Sequence, residues 1–344
     1  MSAPTRRWAR PLQVVLGLGL AVVLLVWGLP FFAQTSWSEV FAVLGRVTGW
    51  QLALFLVLEV LGLYSYTFVM TGAMPGLSHT RALVLNVCGS SVSNMLPGGG
   101  AVGLAATYSI ARSWGFDLAR VTTMAVVTGV WNVLARVVLP VIAVAGLSLS
   151  ANDLPASMRD AAWAAIGSGL VVVVVATLAT VSDRGSHVVG GLVDRGVRVL
   201  RPGHTDGATR ALVRLRRQTA ETVRTGWLPM TLGMAGFFGI YYLLFVLCTA
   251  VTGVELSHGQ LFAAYALGRL LTAVGVTPGG LGVTEAGTTA ALVAWGADPA
   301  SALAGVVIFS IFSHLMEVPL GALGWLAWSV MPRASEREVA RVES

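Results

Sequence analysis

Five ionisable residues interrupt the long apolar stretches of this 344-residue sequence: Glu59, Arg136, Arg269, Glu285 and Glu317. A charge at the centre of a membrane costs about 2.5–3.5 kcal/mol on insertion scales, so such residues usually serve a function. Two arginines suit an anionic group, and the glutamates suit proton or ion coupling. The alternative interpretations are a helix cap for Glu285, a structural ion pair of Arg136 with Glu317 or of Arg269 with Glu285, and packing alone for Glu59.

Two Pro-Gly-Gly sequences break apolar stretches that would otherwise be continuous helices. Pro97, Gly98 and Gly99 interrupt residues 82–111, and Pro278, Gly279 and Gly280 interrupt residues 259–296. Non-helical backbone inside a membrane is tolerated only where protein buries it or where it lines a wet cavity. The helix that leaves each break begins with free N–H donors and a partial positive charge, and glycine lets a ligand approach closely. Both breaks therefore predict an anion site, for example for a phosphate.

Three uncharged polar residues, Asn94, Asn132 and His314, also fall at membrane depth. Such side chains either contact a ligand or form hydrogen bonds between helices. We include Asn94 among the candidate substrate-binding residues because it lies three residues before Pro97. The helix–helix hydrogen bond remains the alternative for all three.

The composition indicates a polytopic membrane protein. Hydrophobic residues make up 56% of the chain and charged residues only 11%, against roughly 25% charged in soluble domains. The sequence contains no nucleophile elbow, no metal-ligand cluster, no Walker A sequence and no βαβ context for a dinucleotide. We therefore predict that it is not an enzyme, that it uses no cofactor and that it does not bind nucleic acid.

Six segments are long and apolar enough to cross a membrane: 12–33, 49–70, 121–147, 161–182, 227–252 and 300–331. Suppose that each of the two interrupted stretches is a hairpin that enters and leaves by one face. Residues 183–226, with their nine arginines, then lie on the cytoplasmic side. Treating them as single crossings puts those arginines outside, against the positive-inside rule. The prediction is thus an all-α polytopic membrane protein of the cytoplasmic membrane, with six full transmembrane helices, two re-entrant helical hairpins and both termini cytoplasmic.

The two interrupted stretches also resemble each other. Residues 96–105, LPGGGAVGLA, align with residues 277–286, TPGGLGVTEA, and Trp-Gly followed by Asp recurs at the same distance after each proline. Arg136 lies 39 residues after Pro97, and Glu317 lies 39 residues after Pro278. We predict one membrane domain, 1–344, with a first repeat of about 49–147 and a second of about 227–331, of opposite orientation. Two unrelated re-entrant loops are the alternative.

Residues 183–226 form a basic segment between the two predicted repeats. Valines and leucines alternate with its arginines, which predicts an amphipathic helix on the inner leaflet, attracted to anionic headgroups. A solvated loop that only sets topology is the alternative.

The sequence resembles the lysylphosphatidylglycerol synthase transmembrane family of flippase-like membrane proteins. Pro278, Gly279, Gly280, Leu281, Gly282 and Glu285 match that family's second-repeat signature, and Asn94 with Pro97 matches the first-repeat motif. Many members have an Arg and a Gly-Glu pair in the first motif, where this chain has glycine, alanine and valine. In the multiple peptide resistance factor, this domain is fused to a cytosolic aminoacyl transferase and flips aminoacylated phosphatidylglycerol.

The resemblance implies translocation of an anionic lipid or a polyprenyl-phosphate-linked glycolipid. The candidate binding residues are Arg136, Arg269, Glu285, Glu317, Asn94, Pro97, Gly98, Gly99, Pro278, Gly279 and Gly280. A secondary transporter of a small soluble anion is one alternative. Another is a non-transporting membrane partner of a glycosyltransferase or lipid-modifying enzyme, docked through residues 183–226. An integral-membrane lipid-modifying enzyme is a more distant one. The cargo, the direction, the energy source and the oligomeric state stay open.

Overall fold

A computed structural model describes residues 36–95, 99–149, 207–272 and 280–333, together with Gly167. These residues form ten α-helices and one π-helical turn, and no strand occurs among them. The helices are α1 Trp37–Leu44, α2 Gly49–Ala73, α3 His79–Met95, α4 Gly99–Ser113, α5 Leu118–Leu149, α6 Gly207–Val251, α7 His258–Leu271, α8 Val283–Ala294, α9 Pro299–Ser310 and α10 Glu317–Val330. The π-helical turn, Ile311–Leu315, joins α9 to α10.

Four helical segments in the described part of the chain are long and apolar enough to cross a membrane: Gly49–Ala73, Leu118–Leu147, Thr219–Val251 and Pro299–Val330. They coincide with four of the six predicted spans. The other two predicted spans, 12–33 and 161–182, lie outside the described residues. The chain is therefore an all-helical, multi-pass membrane protein.

The centre of the fold is the pair α2 and α6, which pack along much of their length. Small residues allow this approach: a Cβ on Gly226 would meet the carbonyl oxygen of Gly72, and one on Gly233 would lie 2.8 Å from the Cβ of Phe68. The Ser65 hydroxyl donates to the carbonyl of Gly233 across 3.0 Å. Close backbone contact of this kind replaces the hydrophobic effect as the source of helix association in lipid.

Two helical hairpins flank this pair. In the first, the arms α3 and α4 are antiparallel, because Gly99 meets Ser93 at the tip while Gly89 meets Thr107 farther down. In the second, formed by α7 and α8, Gly268 meets Thr288 in the same way. An arm of 14 to 17 residues extends only about 21–25 Å, which is shorter than a ~30 Å hydrocarbon core.

Each hairpin packs against the end of the other half of the chain. Helix α3 packs on α10, and α7 packs on α5. Gly324 lies against Val87 and Cys88 at the first of these contacts. The final helical stretch of the second half, 299–330, follows α5, 118–149, at a constant distance of 181 residues. Asp117 and Asp298, also 181 residues apart, each accept the N–H three residues on and so cap these stretches alike.

Helix α6 begins earlier than the sequence indicates. Residues 207–226, predicted to belong to a cytoplasmic loop, are continuous with the membrane helix. The membrane-length part of this helix covers the predicted span 227–252 to within one residue at its end. Arginine and glutamine are good helix formers, so charge marks the end of the apolar run but does not end the helix. The predicted amphipathic segment around residues 188–200 lies outside the described residues.

Candidate functional site

A polar chamber of about 430 Å³ lies where the two hairpin tips converge. Gly99 and Gly100, at the start of α4, line it from one side, and Gly280, just before α8, lines it from the other. Gly280 has φ +77°, a left-handed conformation that favours glycine, and a Cβ there would lie 3.1 Å from the Thr284 hydroxyl. The remaining wall comes from α2, α3, α5, α6, α7, the π-helical turn and α10.

Arg269, on α7, lines the chamber and is 7% exposed. Its guanidinium carbon lies 4.9 Å from the ring centre of Tyr241, 5.0 Å from that of Phe309 and 5.4 Å from that of Tyr265. These rings hold the cation in place. Its Nε and Nη2 atoms are buried and have no hydrogen-bond acceptor. A buried cation with unused donors is costly, and an anion in the chamber would satisfy them.

Arg136, on α5, is the second cation of the chamber. Its Nε donates to Asn132 Oδ1 at 2.7 Å, and its Nη1 donates to the Thr272 hydroxyl at 2.6 Å. Asn132 is one turn earlier on the same helix, whereas Thr272 caps the end of α7. These two hydrogen bonds hold the guanidinium beside the C-terminal end of α7.

Glu317, on α10, is the carboxylate that lines the chamber, and it is 8% exposed. Asn94 Nδ2 donates to Glu317 Oε2 at 2.8 Å and to the carbonyl oxygen of His314 at 3.3 Å. Asn94 therefore ties the first hairpin to α10, as the helix–helix alternative expects, and it lines the chamber as well.

Glu59, on α2, is fully buried behind the chamber wall. The Tyr241 hydroxyl donates to its Oε1 at 2.9 Å, and its Oε2 has no hydrogen-bond partner. The same Tyr241 ring contacts Arg269 on its face. Glu59 thus positions the ring that supports Arg269, which goes beyond the packing role considered from the sequence.

The ion pairs considered as the alternative interpretation do not form among the described residues. Neither Arg136 nor Arg269 lies within 4.0 Å of a carboxylate oxygen among the described residues, and the salt bridge found there joins Arg120 to Asp117 at the surface. Neutral partners, Asn132 and Thr272, hold Arg136 instead. Both arginines consequently keep their charge available to the chamber.

Glu285 does not line the chamber. Its Oε2 accepts the Gly282 N–H at 2.5 Å, and its Oε1 accepts the Ser310 hydroxyl. The carboxylate caps the N-terminus of α8, where the helix dipole favours it, and links α8 to α9. This is the helix-capping role that was the alternative for Glu285. Glu285 therefore lies apart from the candidate residues that line the chamber.

An apolar groove of about 770 Å³ continues from the chamber between the first hairpin and α5. Eight residues line both spaces: Tyr66, Asn86, Ser90, Ser93, Asn94, Gly100, Asn132 and Arg136. Farther out the lining becomes apolar, with Leu85, Met124, Val133 and Val137. Leu104, which is 41% exposed, and Gly129 lie at the mouth of the groove.

The structure thus brings together Arg136, Arg269, Glu317, Asn94, Gly99 and Gly280 around one chamber. Pro97, Gly98, Pro278 and Gly279 lie outside the described residues. Sequence reasoning missed Thr272, Tyr241, Tyr265 and Phe309, which hold the two arginines. Threonine and aromatic residues are common in membrane helices, so the sequence carried no signal that distinguishes these four.

Long apolar helices around an internal chamber lined by two arginines define an integral membrane protein with an internal polar chamber. The chain belongs to the family of the lysylphosphatidylglycerol synthase TM region, whose family model matches residues 14–321. The resemblance noted in the Pro-Gly-Gly motifs is confirmed. The matched family model is a membrane region and not a catalytic domain. A comparison with curated proteins gives no match.

Proposed function

We propose that this protein translocates an anionic lipid across the cytoplasmic membrane, with the headgroup passing through the chamber. The guanidinium of Arg269, two of whose nitrogens have no hydrogen-bond acceptor, carries the proposal. Its Nε and Nη2 donors are buried without an acceptor, three aromatic rings fix it, and it faces a space of about 430 Å³. A phosphate oxygen would supply the missing acceptors. The headgroup is a phosphate ester of a lipid or of a polyprenyl chain.

The groove beside the chamber favours a lipid over a soluble anion. A small soluble anion needs the polar chamber alone, whereas a lipid needs a neighbouring path for its hydrocarbon chain. The groove is nearly twice as large as the chamber and opens on α5, a helix that can cross the membrane. A secondary transporter of a small soluble anion remains the second candidate, because the chamber has the charge for it.

The proposed topology has both hairpins re-entrant, the first entering from the cytoplasm and the second from outside, as an inverted repeat. Contacts among the predicted cytoplasmic loops support it. Trp328 Nε1, near the end of α10, donates to the Ser113 hydroxyl at 2.9 Å. The guanidinium of Arg81 lies 5.3 Å from the Trp114 ring centre. Arg81 belongs to the predicted cytoplasmic loop 71–81, Ser113 and Trp114 belong to the predicted cytoplasmic loop 112–120, and Trp328 lies near the end of the predicted span 300–331. They meet at one end of the fold, where positive charge is expected.

Translocation of phosphatidylglycerol with a fluorescent acyl chain tests the proposal. In vesicles containing the protein, a membrane-impermeant quencher reports how fast the lipid leaves the inner leaflet. Arg269→Gln removes a charge-assisted contact of about 1.5–3 kcal/mol, so the rate should fall by roughly tenfold or more. The matched control is Arg120→Gln, because Arg120 is a surface arginine paired with Asp117.

Three results separate the candidates. A rate that is unchanged in the Arg136→Gln/Arg269→Gln double variant removes the chamber from the mechanism. Uptake of glycerol phosphate into the vesicles, without lipid translocation, favours the soluble-anion transporter. Equal translocation of phosphatidylcholine would contradict selection for a net anionic headgroup.

A further inference from the structure

The groove between α4 and α5 has a counterpart in the second half of the chain, between α8 and α9. Positions 181 residues apart correspond, as Thr107 and Thr288 illustrate: each contacts a glycine on the other arm of its own hairpin, Gly89 and Gly268 respectively. The counterpart space is lined by Gly268, Thr284, Thr288, Val306 and Ser310, among others. The two grooves can therefore be compared residue by residue.

The two grooves differ greatly in size. The first has a volume of about 770 Å³, and the second has about 10 Å³, which holds no more than about one water molecule. Larger side chains fill the second: Thr284, Val306 and Phe309 stand where the first has Gly103, Ala125 and Thr128. The larger side chains of the second groove therefore account for part of the difference in volume.

A hydrogen bond also closes the second groove. The Ser310 hydroxyl donates to Glu285, which ties α9 to α8. The corresponding residues of the first half are Gly129 and Leu104, and they cannot form this bond. No other atom lies within 4 Å of a Cβ placed on Gly129, so nothing bridges α4 and α5 at that point.

We propose that the groove between α4 and α5 binds the hydrocarbon chain of the translocated lipid, and that the counterpart between α8 and α9 is kept closed by the Glu285–Ser310 hydrogen bond. This rests on the proposed function, because it assigns the chain of the lipid whose headgroup occupies the chamber. Continuity supports a single occupant: the groove and the chamber share Arg136, Asn94 and Asn132. A molecule with a phosphate at one end and a hydrocarbon chain at the other matches both spaces.

The side of the membrane follows from the proposed topology. Helix α4 runs from the first hairpin tip to the cytoplasmic loop 112–120, so the open groove faces the inner leaflet. Helices α8 and α9 meet at the outer face, so the closed groove faces the outer leaflet. The described conformation accordingly accepts lipid from the cytoplasmic leaflet.

Photocrosslinking tests the subsite. Phosphatidylglycerol that carries a diazirine near the middle of one acyl chain is reconstituted with the full-length protein in phosphatidylcholine vesicles and illuminated. Adducts are mapped by mass spectrometry. We expect them on α4 and α5 near Leu104 and Val137, and not on the corresponding stretches of α8 and α9.

Gly129→Trp should fill part of the groove, because Gly129 lines it and a Cβ at this position has no neighbour within 4 Å. It should lower adduct formation by about tenfold, which corresponds to the loss of burial for roughly two methylene groups. Gly239→Trp is the matched control: Gly239 is an exposed glycine of α6 with equally open space. Its adduct yield should match that of the unmodified protein.

The double variant Glu285→Leu/Ser310→Gly gives the second half the residues of the first. New adducts should then appear on α8 and α9, which keeps the proposal testable if Gly129→Trp does not fold. Adducts that are equally abundant on both sides of the unmodified protein would overturn the proposal. So would adducts on α4 and α5 that persist in Gly129→Trp.

Binding of glycerol phosphate, which has the headgroup chemistry but no chain, separates this proposal from the proposed function. Under both proposals, its affinity is lost in Arg269→Gln and unchanged in Gly129→Trp. Retained, Arg269-dependent glycerol phosphate binding without chain adducts would overturn the subsite and leave the chamber intact. Lipid translocation that does not respond to Arg269→Gln would instead remove the proposed function, and the subsite with it.

Discussion

Arg136 and Glu317 occupy corresponding positions in the two halves, carry opposite charges, and each bind the first arm of the opposite hairpin. Arg136 donates to Thr272 at the end of α7, and Glu317 accepts from Asn94 near the end of α3. A charged side chain of one half thus holds the hairpin of the other half close to its tip. Both contacts therefore join one half of the chain to the other beside the chamber.

Removing the Thr272 hydroxyl should release Arg136. In Thr272→Val the guanidinium loses a charge-assisted hydrogen bond of about 1.5–3 kcal/mol, so we expect lower thermal stability in detergent and slower lipid translocation. Thr272→Ser keeps the acceptor and should restore both. Thr225→Val serves as the control, because the Thr225 hydroxyl bonds only within its own exposed helix turn. Equal effects of Thr272→Val and Thr225→Val would contradict a specific role for the contact.

Neutralising Glu317 should strengthen anion binding. Glu317 is the carboxylate that lines the chamber, and it opposes any phosphate held by Arg136 and Arg269. Glu317→Gln keeps an oxygen for Asn94 while removing a repulsion of about 1 kcal/mol or more, so glycerol phosphate should bind several-fold more tightly. Titration calorimetry measures this. Weaker binding in Glu317→Gln would mean that the carboxylate supports the site in its charged form, for example by binding a coupling cation.

Substitution of Gly62 should disturb the support of Arg269. A Cβ on Gly62 would meet the ring of Tyr241, which cannot move easily because it bonds Glu59 and stacks on Arg269. Gly62→Ala should therefore lower stability by about 1–3 kcal/mol. Gly239→Ala, at a position with open space, should raise stability by roughly 0.5–1 kcal/mol through helix propensity. Denaturation in mixed micelles compares the two. Equal stability would show that the ring moves freely.

Glu285 should tolerate loss of its charge better than loss of its oxygens. Glutamine retains an acceptor for the Gly282 N–H, so Glu285→Gln should translocate lipid within about a factor of two of the unmodified rate, a change below 0.5 kcal/mol. Glu285→Ala should lose about 1–2 kcal/mol of stability, as removal of a helix cap does. Complete loss of translocation in a well-folded Glu285→Gln would instead indicate proton or ion coupling through this carboxylate.

Much of the architecture was predictable because hydropathy and helix interruption are local properties. Four predicted spans coincide with described membrane-length helices. One helix ends before the proline of each Pro-Gly-Gly sequence, and the next begins at its last glycine, Gly99, or shortly after it, at Val283. Helix α6 extends beyond the predicted span 227–252 because arginine ends an apolar run without ending a helix. The repeat and the orientation of the hairpins stay predictions, and the spans 12–33 and 161–182 lie outside the described residues.

The charged residues of the candidate site were predictable from the sequence, but the residues that they contact were not. Buried charge at membrane depth identified Arg136, Arg269 and Glu317, since such residues are costly wherever they occur. Their partners lie far away in sequence: 136 residues separate Arg136 from Thr272, and 223 separate Asn94 from Glu317. Opposite charges suggested ion pairs, yet neutral groups hold the charges, which leaves Arg269 with free donors.

The sequence alone determined that this chain is a helical membrane protein of a known family, with glycine-rich breaks and buried charges, because composition and motif order depend on no contact. Only the tertiary structure decided that Gly99, Gly100 and Gly280 line one chamber, that Glu285 does not line it, and that the space between α4 and α5 is open while the space between α8 and α9 is closed. Those outcomes depend on the volumes of the side chains that pack between helices, and hydropathy carries no information about side-chain volume.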